Sequence, residues 1–150
     1  MALAEHVPSI ANVIQLTIAP VFMLTAVGAF LNVMAGRLAR AVDRARELER
    51  AMSSLQADSL QRAKDELHVI SRRARWSNRA ITCSTICALL ICFEIAALFG
   101  GEFLAVNVSL AAGWLFVLAL VALILGLLAF LREIFLATRY LMIGTHRPGF

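Results

Sequence analysis

Apolar residues gather in three long runs, at positions 10–35, 80–99 and 108–131. Each is long enough to cross a bilayer core of about 30 Å, which takes about 20 helical residues. Pro8 and Ser9 precede the first run and predict a turn and a helix N-cap there, while Gly100 and Gly101 predict the end of the second. The segment at 36–78 is different, because its apolar residues are sparse and evenly spaced. Leu38, Ala41, Ala45, Leu48, Met52 and Leu55 step by 3, 4, 3, 4, 3, and Leu60, Ala63, Leu67, Ile70 and Ala74 step by 3, 4, 3, 4, with charged or polar residues between them. That is the apolar seam of a coiled coil. Ser53, Ser54, Asp58 and Ser59 interrupt it, and Asp58 with Gln61 fits an N-cap and its box partner. Two arms of nearly equal length predict an antiparallel helical hairpin. No helix breaker separates either arm from its neighbouring span, so long continuous helices are expected. The stretch at 132–143 keeps a helical pattern, with Gly144 as a C-cap.

Composition points the same way. Of 150 residues, 61% are hydrophobic and 16% charged, and the mean hydropathy is +0.81. A water-soluble domain of this size has too little interior to hide that much apolar surface. The fold expected is therefore all-α, an integral membrane protein of three transmembrane helices with the hairpin at 36–78 and a tail at 132–150. The net charge of +4 matters through its placement. Arg37, Arg40, Arg44, Arg46, Arg50, Arg62, Lys64, Arg72, Arg73, Arg75 and Arg79 lie between the first two spans, and Arg132, Arg139 and Arg147 follow the third. The loop at 100–107 carries Glu102 and no basic residue. The positive-inside rule then predicts a cytoplasmic hairpin and C-terminus, with the N-terminus outside. Trp76 and Trp114 fall where interfacial aromatics belong. No Lys or Arg precedes Arg37, so the basic start of a secretory signal is missing and the first span is expected to be retained.

The run at 18–33, IAPVFMLTAVGAFLNV, continuing through Arg37-Leu-Ala-Arg40 and Asp43-Arg44-Ala-Arg46-Glu-Leu-Glu49, resembles the bacterial membrane proteins grouped as domain of unknown function 2721. The resemblance is close over the first span and first arm, and extends to the layout of the rest. It implies a small bacterial inner-membrane protein and brings no activity and no functional residues.

Little in the chain supports catalysis. His6, His68 and His146 lie in separate segments, no Ser, His and Asp form a recognisable relay, and no glycine-rich phosphate loop occurs. Cys83 and Cys87 share a helix face without a neighbouring His, so they read as packing residues. No enzyme activity, metal or cofactor is expected. Nucleic acid is not expected as a partner either, because Asp43, Glu47, Glu49, Asp58, Asp65 and Glu66 dilute the basic field.

Three features do carry chemistry. Glu94 is ionisable inside an apolar span, which is costly and raises either a proton or cation site or a polar tie between helices, with Gln15 as a partner at similar depth. Arg72, Arg73, Arg75 and Arg79 beside Trp76 suit anionic lipid headgroups. Finally, Thr25, Gly28, Asn32, Gly36 and Asp43 share an arc of about 80° on a continuous helix, with Arg40 adjoining it. That stripe faces away from the hairpin seam. Either the other spans cover it or it faces the axis of a homo-oligomer, lining a narrow ion path. The alternative function is a non-conducting scaffold or accessory subunit whose hairpin holds a cytoplasmic or membrane partner.

Overall fold

The computed structural model describes residues 2–53, 56–104 and 106–144, with side chains at 10–53, 56–57, 59–104 and 106–137. Leu55, the side chain of Asp58, and the side chains of His6, Arg139, His146 and Arg147 lie outside the described residues. Three helices account for nearly everything described: α1 (Ala2–Met52), α2 (Ala57–Leu104) and α3 (Ser109–Gly144). All three contain stretches long and apolar enough to cross a membrane, within Ile10–Met52, Ser59–Leu104 and Ser109–Ala137. Gly36 and Asn78 lie inside α1 and α2, as the lack of breakers implied.

Two helix ends differ from expectation. The turn at Pro8 and Ser9 does not form, because α1 runs through both residues from Ala2. Proline removes one backbone hydrogen bond, a loss that apolar helices absorb through local adjustment, and Pro20 is likewise inside α1 and buried. Nor does α2 end at Gly100 and Gly101; it continues to Leu104. Gly101 serves a close approach instead. A Cβ on it would run into the Val108 side chain and come within 3.0 Å of the Val106 carbonyl oxygen, and the Val106 N–H donates to the Gly101 carbonyl at 3.0 Å. Asn107 then starts α3, its Oδ1 accepting from the Ser109 N–H at 3.1 Å and from the Ser109 hydroxyl at 2.6 Å. At the start of α2, Asp58 lies inside the helix, which begins at Ala57, and not at its N-cap, while Gln61 donates to Asp65 at 3.4 Å.

Each helix carries one packed stripe. On α1, Val13, Thr17, Pro20, Leu24, Val27, Leu31, Met34, Leu38, Ala41, Ala45, Leu48 and Met52 are all buried or partly buried and form an unbroken alternation of steps of four and three, with Met23, Phe30, Gly36 and Arg37 partly buried beside it. The seam read from the charged segment thus continues upstream through the apolar one. On α2 the buried positions are Ala63, Ser77, Ala80, Ser84, Cys87, Ile91, Glu94 and Gly101, and on α3 they are Ala112, Ala119, Ala122, Gly126, Ala129 and Glu133. The α3 stripe consists almost wholly of small residues, which permit close helix approach in an apolar setting where packing and not water exclusion drives association.

The chain forms two compact units. One comprises Met1–Leu31 and Cys83–Ile124, and the other Asn32–Thr82 and Leu125–Phe150. The core of the first is Val27, Cys87, Ile91, Ala119 and Ala122, with Met23, Leu24, Leu31, Ala88, Leu90, Ile95 and Leu123 packed against it. Its outer faces carry Phe22, Phe93 and Leu110, which are 70%, 62% and 76% exposed. Large apolar side chains on the outside belong against lipid tails. The second unit buries Met34, Leu48 and Ala63, and its other described seam positions are partly buried while the residues between them are mostly exposed and charged.

Candidate functional site

In the first unit, Glu94 is buried at 6% exposure, and its Oε2 has no hydrogen-bond partner. The depth match with Gln15 does not become a pairing, because Gln15 is exposed. The reason is angular: at 100° per residue, Gln15 points about 160° away from both Val13 and Thr17, which form the packed side of α1 at that level. Thr17 satisfies its own hydroxyl by donating to the Ile14 carbonyl at 2.9 Å. Ser84 Oγ is also buried without a partner. Cys87 is buried, Cys83 partly so, and Cys92 exposed. No group of His, Cys, Asp and Glu suited to a metal occurs among the described residues.

Also in this unit, Thr25 and Gly28 of the stripe are exposed. The Thr25 hydroxyl folds back on the Val21 carbonyl at 3.2 Å, and a Cβ on Gly28 would meet nothing within 4 Å. In the second unit, Asn32, Arg40 and Asp43 are exposed and Gly36 is partly buried, its nearest outside atom being Arg40 Nη1 at 3.7 Å from an added Cβ.

The basic residues of the second unit divide by partner. Arg72, Arg75 and Arg79 are exposed, and Arg79 stacks over the Trp76 ring at 4.8 Å, with Arg132 over the same ring at 5.3 Å. Arg73 leaves the group assigned to headgroups. It is partly buried and its Nη2 donates to Glu133 Oε1 at 3.3 Å, because Glu133, with a side chain only 4% exposed, requires neutralising charge. Arg37 Nη2 donates to the same Oε1 at 3.1 Å and lies 2.9 Å from Oε2, and its guanidinium sits 5.5 Å from the Phe130 ring centre. Glu133 therefore joins α1, α2 and α3 through two arginines. Local patterning did not single it out, although it is the sole acid in the described part of α3 and so the natural counter-charge there. Farther along α1, Arg44 bonds Glu66 at 3.0 Å and lies 3.5 Å from Glu47. The Glu66 hydrogen bond, then its charge, holds the Arg44 guanidinium above its ordinary pKa.

A chain of three helices that are long and apolar enough to span a bilayer, with two buried acids and a basic segment between the first two spans, is a multi-pass membrane protein in class. The model of the family described as "Protein of unknown function (DUF2721)" matches residues 17–143, and the chain belongs to that family. No functionally curated protein and no solved structure matches the chain.

Proposed function

We propose that the chain is a small non-enzymatic protein of the bacterial inner membrane, working without a cofactor, whose copies assemble so that α1 of each lines a narrow ion path. The observation that carries this reading is the exposure of Asn32 on an apolar helix, on the side away from the packed stripe. A carboxamide at that depth is poorly matched to lipid tails, and a second copy or a hydrated axis relieves the mismatch. Thr25 and Gly28 extend the same face, and Gly36, Arg40 and Asp43 continue it toward the charged segment. In this arrangement the N-terminus is outside, and the C-terminus and the segment at 36–78 are cytoplasmic, the latter as an antiparallel coiled-coil hairpin. The lower exposure of its seam positions and the Arg44–Glu66 bond between α1 and α2 support the pairing. Arg72, Arg75 and Arg79 then meet anionic headgroups.

Purified protein in liposomes tests the reading. Small ions are expected to pass, Asn32→Leu to reduce the flux, and Asn32→Cys in a Cys-free background to react with small water-soluble thiol reagents. A stable oligomer that carries no flux at any voltage, pH or tension, with Asn32→Cys unreactive, overturns it. The scaffold reading then stands, in which the hairpin's exposed charges hold a cytoplasmic or membrane protein partner.

A further inference from the structure

Four arginines converge on one open cavity in the second unit. Its volume is about 340 Å³, and Arg37, Arg40, Ala41 and Arg44 of α1 with Ile70 and Arg73 of α2 line it. The arginines recur on α1 at roughly one-turn intervals, so their stems rise along one side of the helix. The local acids leave them undersaturated. Glu133 engages Arg37 and Arg73, and Glu66 and Glu47 engage Arg44, while Arg40 has no carboxylate partner among the described residues. The Glu133 bonds use only the Nη2 atoms of Arg37 and Arg73, and the Nε atoms of both are buried without hydrogen-bond partners.

A guanidinium offers five donors in a fixed fork, and a buried donor left unmatched is costly. Aliphatic Ala41 and Ile70 add wall without adding acceptors. A compact group with several acceptor oxygens and negative charge matches these donors. Carboxylate supplies two such oxygens; a phosphate supplies more, spread tetrahedrally to meet donors from different directions.

We propose that this cavity is a binding site for a phosphate-type oxyanion, with Arg40 supplying the uncommitted charge and Arg37, Arg44 and Arg73 supplying further donors around it. Arg40 also adjoins the α1 face assigned to the ion path, so the site shares that residue with it, and the test below reads anion binding and not ion flux. A lipid phosphate headgroup and a free phosphate in the cytoplasm present the same chemistry, and the test separates them.

Full-length delipidated protein in a neutral detergent is titrated with inorganic phosphate, and the same protein in nanodiscs of phosphatidylglycerol and phosphatidylcholine is assayed by native mass spectrometry for retained lipid. Wild type, Arg40→Gln and Arg46→Gln are compared; Arg46→Gln removes the same charge from an exposed position outside the cavity. Binding of inorganic phosphate that weakens about tenfold or more in Arg40→Gln but not in Arg46→Gln is the result expected for a free anion. Selective retention of phosphatidylglycerol, lost in Arg40→Gln and kept in Arg46→Gln, is the result expected for a headgroup. Arg40→Lys, which keeps charge but not the fork, is expected to fall between wild type and Arg40→Gln. The proposal is overturned if neither probe binds, or if Arg46→Gln and Arg40→Gln lower binding equally.

Discussion

Two glutamates, one in each unit, are buried to nearly the same degree, Glu94 at 6% exposure and Glu133 at 3%. Their surroundings are opposite. Glu133 lies between Arg37 and Arg73, within 2.9 Å and 3.3 Å of their guanidinium nitrogens, whereas Glu94 presents an oxygen with no hydrogen-bond partner. Burial alone therefore does not assign a role to an acid in an apolar helix. Glu133 is an architectural tie, since its charge is matched and removing it strands two arginines. Glu94 has no charge partner among the described residues, so no ion pair holds it in place.

The largest expected effect tests the tie. Glu133→Leu leaves Arg37 and Arg73 without their shared carboxylate and is expected to cost about 3–5 kcal/mol, measured by thermal or denaturant unfolding in detergent. A loss below about 1 kcal/mol would remove the distinction between the two acids.

Next comes the small-residue stripe of the first unit. Ala119 is fully buried in the core with Val27, Cys87 and Ile91, so Ala119→Leu is expected to cost about 1–3 kcal/mol by overpacking. An unchanged melting temperature would mean that this core is looser than its small residues imply.

Glu94 itself is expected to be nearly silent in stability. Glu94→Gln and Glu94→Leu should each shift unfolding by no more than about 1 kcal/mol, because no hydrogen-bonded partner of Oε2 is left stranded. If Glu94→Leu is as damaging as Glu133→Leu, the contrast between the acids fails. The smallest effect belongs to Arg44. It is exposed and bonded to Glu66, so Arg44→Gln should lower the melting temperature only slightly at low salt and not measurably at high salt. A salt-independent loss would show that this pair is as structural as the Glu133 pair.

Much of this architecture was legible in the sequence, and its gaps have physical causes. The three spans were plain from apolar length, and the seam at 38–52 stood out because charged residues frame it. The same seam continues through Val13, Thr17, Leu24 and Val27, but there nearly every neighbour is apolar and the period has no polar background to contrast with. The stripe of Thr25, Asn32 and Asp43 was found from angles on one helix, and these residues are exposed as a local argument allows. Glu133 was missed because its partners lie 60 and 96 residues away, beyond any periodicity. Gln15 was matched to Glu94 by depth alone, without the azimuth that turns it outward. Gly101 reads locally as a helix stop, whereas its role depends on Val106 and Val108 across the reversal.

The short link between α2 and α3 also bears on the order in which the protein is made. Val106 bonds back to Gly101, Asn107 caps α3 two residues on, and the Gly101–Val108 contact joins positions seven apart. Closing so small a loop costs little entropy, so this reversal forms as soon as the start of the third helix is synthesised. The Arg37–Glu133 bond spans 96 residues and has to wait until residue 133 has been synthesised. Until then Arg37 and Arg73 lack their shared carboxylate. The third helix thus carries the counter-ion of the arginine pair, and a chain released before residue 133 has α1, α2 and α3 begun but lacks the Glu133 carboxylate that joins Arg37 and Arg73.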